Sequence, residues 1–169
     1  MKLMTTLFLV LALCFSTNSF AQKTLPDVNV KTLQGETVNM QKFAKDGKVT
    51  VLCFWATWCS PCKRELSNIA EIYPDWLEEY DVELLAITLD VKQRLGKAKS
   101  ESTQWDFTVL SDSNQELQRA MGFQNPPQTY VIDKNGHIVY EHNGYSPGDE
   151  VALEDAVSKA NAGEAIGEH

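Results

Sequence analysis

The chain has 169 residues, with 15 lysines and arginines against 23 aspartates and glutamates, a net charge of −8. That length suits one ordinary domain whose core needs no disulfide staples. The acidic balance argues against nucleic acid as a partner.

The chain opens with Lys2, the apolar run "LMTTLFLVLALCF" and a "SFA" ending in a small residue. This reads as a secretory signal peptide over residues 1–21, cleaved after Ala21 and too short for a comfortable membrane span. "LALC" ends at Cys14 in the manner of a lipoprotein signal, but Leu13 stands where a small residue is expected. Soluble export is therefore preferred to a lipid tether. Cleavage removes Lys2 and leaves 14 cations against 23 anions, or −9, on a domain of residues 22–169. Cys53, Cys59 and Cys62 remain, an odd number that argues against a disulfide framework.

No repeat, low-complexity tract or linker divides that domain. The β-rich runs "VNVKTL" and "TVNM" come first, followed by "VTVLCFWA", "VELLAIT", "FTVLSD", "QTYVID" and "HIVYEH";. After the cysteines, Leu66, Ile69, Ala70, Tyr73, Trp76, Leu77 and Tyr80 recur at helical spacing and predict one long amphipathic helix, which Pro74 should kink or divide;. Lys63, Arg64 and Glu65 read as the start of its solvent-facing portion. Further helices are expected over 91–105, over "NQELQRAM" with Asn114 as N-cap, and over 148–161 with Asp149 in the first turn. "NAGEAIGEH" looks frayed. "DKNG" is a tight turn that makes the last two strands a hairpin, with Gly136 supplying a positive φ. The uninterrupted apolar runs around Cys53 and over "VELLAI" suit central strands covered on both faces, with the long helix as a right-handed crossover. The fold class is α/β, a three-layer α/β/α sandwich with a central mixed β-sheet.

Cys59 falls at the mouth of the turn from a central strand into the long helix, and Cys62 in that helix's first turn. Free N–H groups and the helix dipole favour an anion there, so Cys59 should ionise more readily than an ordinary thiol, with Cys62 shielded as the resolving partner. A static disulfide closing so short a ring would add little stability. A zinc site completed by His137 and His142 is disfavoured, because five positions along a strand turn the two rings to opposite faces. A redox couple fits the pair best, with no cofactor and no metal. Cys53, buried in a central strand, should stay apart from the couple as an inert core residue.

"VTVLCFWATWCSPCKREL" resembles the active-site segment of thioredoxin-fold proteins, and most closely that of the exported TlpA/ResA-like thiol-disulfide oxidoreductases. "VELLAITLD" and "MGFQNPPQTYVIDKNGHIVY" extend the likeness over residues 25–160. The resemblance implies a thioredoxin-like fold with Cys59 attacking, Cys62 resolving and Pro127 as the cis-proline beside the disulfide. The preceding Pro126 should leave its carbonyl and N–H to an extended substrate. Trp58 is expected on the apolar apron where partners dock, and Trp55 in the core. Cys53 stands where cytoplasmic thioredoxins carry a buried aspartate, so no buried acid is expected at that strand position. Asp90 and Glu65 are the candidates for proton relay.

The resemblance further implies a protein-disulfide reductase of the periplasm, acting on disulfide-containing periplasmic proteins with electrons from a membrane thiol donor, in cytochrome c maturation. Two rivals are a Sco-like copper-binding module, which has a wider cysteine spacing and a placed histidine, and a peroxiredoxin-like peroxidase, whose Pro-x-x-x-Thr-x-x-Cys context "FWATWCSPC" does not supply.

Overall fold

The computed structural model describes residues 23–166. The expected leader, its cleavage point after Ala21 and Cys14 lie outside the described residues. Among those described, seven strands form one mixed sheet: β1 (Asn29–Thr32), β2 (Thr37–Asn39), β3 (Val49–Trp55), β4 (Val82–Thr88), β5 (Thr108–Ser111), β6 (Gln128–Ile132) and β7 (Ile138–Asn143). Their order is β2-β1-β5-β4-β3-β6-β7. Strands β3, β4 and β5 are parallel, and the outer pairings are antiparallel. Each of the seven expected strands is present.

Strand β3 is buried at every position, and its side-chain alternation sorts the core into two halves. Val49, Val51, Cys53 and Trp55 face one cluster, with residues of α1 (Ser60–Glu79), α2 (Leu95–Glu101) and α4 (Asp149–Ala162). Leu52 and Phe54 face the other, with Met40 and Phe43 of a 3-10 helix and Leu117 of α3 (Glu116–Met121). Two covered faces explain why this strand reads as an unbroken apolar run. Trp55 lies in the core, edge-on to Trp105 with ring centroids 4.9 Å apart.

Helix α1 runs unbroken through Pro74. The proline is exposed, so its missing N–H interrupts the ladder away from the packed face. Leu66, Ile69, Tyr73 and Trp76 are buried as the periodicity requires, whereas Leu77 is exposed. The 91–105 segment is a short α2 flanked by 3-10 turns. Asn114 does not cap α3. Asp112 accepts from the N–H groups of Leu117 (3.2 Å) and Gln118 (2.8 Å), after a turn in which Gln115 takes a φ of 57°. Asp149 sits in the first turn of α4 as expected, and that helix continues through Asn161 and Ala162 of the stretch read as frayed.

The β6–β7 hairpin closes at Gly136, whose φ is 84° and where a Cβ would come 2.7 Å from the Ala44 carbonyl oxygen. Conformation and close packing both require glycine at this turn.

Candidate active site

Where β3 ends, the chain turns through Ala56–Cys59 into α1, and the Cys59 N–H closes that turn on the Ala56 carbonyl at 3.0 Å. Cys59 is the N-cap: its extended backbone (φ −95°, ψ 96°) aims Sγ along the helix axis, where it accepts the Cys62 N–H at 3.3 Å. A donor and the positive helix end at the same sulfur favour negative charge there. Pro61 sits in the first turn, where its lack of an N–H costs nothing;. Cys59 and Cys62 form a disulfide with Cα atoms 5.4 Å apart. Cys59 is 4% exposed and Cys62 fully buried, so Cys59 is the more accessible of the two.

Trp58, the residue before Cys59, is 57% exposed. The Pro126–Pro127 peptide is cis, with Pro127 buried and Pro126 half-buried. Here one expectation needs correction: residue 126 is itself a proline and has no N–H, so it offers an extended partner a carbonyl alone. The Pro127 carbonyl is already taken by the Gly144 N–H at 2.9 Å.

Asp90, buried at the end of β4, turns back onto the cysteine turn. Its Oδ2 accepts the Thr57 N–H (2.7 Å) and the Thr88 hydroxyl (2.8 Å), and its Oδ1 the Thr57 hydroxyl (2.8 Å). Both oxygens are thus engaged in holding the residue two before Cys59. Nothing in the sequence around Asp90 points to Thr57, 33 positions away.

Glu65 departs most from expectation. It lies in the core at 4% exposure, not on the solvent side of α1. One turn beyond Cys62 and one before Ile69, it falls on the buried stripe, a spacing that could have revealed it. Its Oε1 accepts the Thr129 hydroxyl at 2.7 Å. Burial raises its pKa from the ordinary 4.5 to about 7; the Thr129 hydrogen bond opposes this and the Asp149 charge adds to it. Thr129 pairs across the sheet with Cys53, whose thiol is pushed well up, first by burial and then by the Glu65 charge, against a hydrogen bond to Thr129. The chain therefore does possess a buried acid beside Cys53, supplied by the helix instead of the strand.

The two histidines do not converge: His137 Nδ1 lies 3.4 Å from Asp133, and His142 Nε2 lies 3.1 Å from Asp149. Thr57, Thr129 and Asp149 were not singled out as site residues by the sequence, and His142 was weighed only as a zinc ligand.

Comparison with known proteins places the chain in a family. The AhpC/TSA family model matches residues 21–141. The thiol-disulfide oxidoreductase ResA of Bacillus thuringiensis is 31% identical over 122 residues, covering 72% of this chain and 69% of that protein. A thioredoxin-like protein from Porphyromonas gingivalis superposes with a TM-score of 0.73 at 39% identity, covering 86% of this chain and 94% of that one. A Chlorobium tepidum protein provisionally assigned as the thiol:disulfide interchange protein DsbE gives 0.72 at 28% identity, covering 82% and 96%.

Proposed function

We propose, from the premise that the chain belongs to the AhpC/TSA family and stands with the ResA-like thiol-disulfide oxidoreductases, that it is an exported reductase acting on disulfides of periplasmic proteins. The observation that carries this reading is the Cys59–Cys62 pair at the start of α1, with Cys59 as N-cap and the more exposed of the two. In the reduced enzyme the Cys59 thiolate attacks a substrate disulfide and forms a mixed disulfide. Cys62 then attacks Cys59 and expels the substrate thiolate. Glu65, one turn from Cys62 on the same buried face, takes the Cys62 proton; a carboxyl with a pKa of about 7 is suited to that exchange near neutral pH;. Trp58, Pro126 and Pro127 form the docking surface.

Export rests on the signal-peptide pattern of residues 1–21. The oxidised enzyme requires re-reduction, for which a membrane thiol donor is the partner, and cytochrome c maturation is the process the ResA resemblance favours.

The test compares Cys59→Ser with Cys62→Ser. The first should neither attack nor trap substrate, while the second should attack and accumulate mixed disulfides. Equal reactivity of the two toward a disulfide would overturn the roles. The potential of the couple against glutathione fixes the direction: a strongly oxidising value would refute a reductase.

A further inference from the structure

A small cavity of about 10 Å³ adjoins Glu65 and is walled by α1, β6, β7, the loop carrying Tyr145, and α4; it has room for about one water molecule. Glu65 presents it with an unusual atom. While Oε1 is held by Thr129, Oε2 is buried and has no hydrogen-bond partner among the described residues. A buried carboxylate oxygen left unpaired is costly, and a polar cavity of one-water size is where such a group is satisfied. The opposite wall carries His142 and Asp149, 3.1 Å apart and each about one-third exposed at the side chain. None of the lining residues belongs to the docking set of Trp58, Pro126 and Pro127.

We propose that this cavity is a single-water proton port, joining Glu65 to the His142–Asp149 pair so that Glu65 exchanges protons with solvent while a protein substrate covers the disulfide. The proposal rests on the reading of Glu65 as acceptor of the Cys62 proton. During resolution the Cys62 thiol gives its proton to the Glu65 carboxylate. The Cys62 sulfur bonds to the Cys59 sulfur, the Cys59–substrate bond breaks, and the substrate sulfur leaves as a thiolate that is protonated by solvent. The enzyme's dithiol is oxidised, giving up the two electrons that reduce the substrate disulfide. The proton on Glu65 passes to the cavity water, which hands one to His142, and from there it reaches bulk solvent. The titratable groups facing Glu65 are Cys62 of α1, Cys53 of β3, Tyr140 and His142 of β7, Tyr145 of the loop, and Asp149 and Glu150 of α4. Among them the Asp149 charge favours keeping the proton on Glu65.

The experiment is single-turnover resolution by the full-length reduced protein on two substrates, across pH and at low buffer concentration. One is a disulfide-linked dimer of an unfolded single-cysteine polypeptide, which covers the site. The other is dithionitrobenzoate, which leaves it open. His142→Ala should slow resolution several-fold on the polypeptide and leave the small disulfide unchanged, and added imidazole should restore the lost rate. Leu153→Phe, which fills the cavity, should slow the polypeptide reaction without relief by imidazole; if it does not fold, His142→Ala decides alone. Glu65→Gln should slow both substrates, on the order of 100-fold. A slow Glu65→Gln beside a His142→Ala of wild-type rate refutes the port and leaves Glu65 as acceptor. The port is also refuted if His142→Ala slows both substrates alike, or slows the polypeptide without rescue. A Glu65→Gln of wild-type rate on both removes the acceptor and the port together.

Discussion

Replacing Glu65 by glutamine should make the protein more stable at alkaline pH, and the size of the gain can be worked from the burial of the carboxyl. In the folded chain its pKa is raised from 4.5 to about 7. Below pH 4.5 the group is protonated in folded and unfolded chains alike and contributes no difference. As pH rises through about 7 the unfolded chain has already ionised while the folded one must ionise in the core, so stability is lost across that window. With each tenfold change in proton affinity equal to about 1.4 kcal/mol, the loss is roughly 3 kcal/mol by pH 8. That is a sizeable part of the ~5–15 kcal/mol that holds an ordinary domain together. Glutamine keeps a carbonyl oxygen for Thr129 and never ionises. Urea unfolding of the oxidised protein at pH 5 and pH 8 checks this, reading wild type against Glu65→Gln so that other titrating groups cancel. Since part of the loss is already present at pH 5, the variant should gain about 2.5 kcal/mol on the wild type between the two pH values. Identical pH dependence in the two proteins would mean that Glu65 ionises as freely folded as unfolded, and the account of its burial would fail.

In a Cys59→Ser/Cys62→Ser background, Cys53, fully buried with its thiol pushed up, should resist a thiol reagent until the protein is unfolded; rapid labelling under native conditions would place it at the surface. Asp90→Ala strands the Thr57 N–H and two hydroxyls and should cost about 2–4 kcal/mol in chemical denaturation, with slower attack by Cys59. Asp90→Asn should be milder, and wild-type stability in the alanine variant would show that the clamp holds nothing. Gly136→Ala must place a Cβ against the Ala44 carbonyl at a φ of 84° and should lose on the order of 2 kcal/mol with thiol reactivity unchanged; a neutral thermal melt would contradict the close packing there.

The strands were legible because their signal is local: an apolar run such as Val49–Trp55 or a turn such as Asp133–Gly136 declares itself within a few residues. The cysteine pair was legible for the same reason, since the N-cap cysteine, the proline and the second cysteine are neighbours in sequence. Glu65 was misplaced because a carboxylate inside a charged "KRE" run looks solvated, and the hydroxyl that draws it inward, on Thr129, lies 64 residues away. Asp90 was named as a relay candidate, but its bond to Thr57 escaped likewise, since it joins the ends of two parallel strands. Capping of α3 by Asp112 instead of Asn114 turned on the left-handed backbone of Gln115, which nothing in that residue's chemistry announces.

The contact between Glu65 and Thr129, which pairs across the sheet with Cys53, also limits which mutational paths are open to this protein. An aspartate at position 53 would set a second carboxylate around the one hydroxyl that serves the first. Two buried acids so placed share a single proton in coupled steps, and both charges could not be held at once. Moving the acid from helix to strand thus passes through an intermediate with either two such groups, which set two buried charges against each other, or none, which is stable but has no buried acid beside the cysteines. Positions 53 and 65 are therefore epistatic: an aspartate at position 53 should be tolerated only once Glu65 has given up its carboxylate.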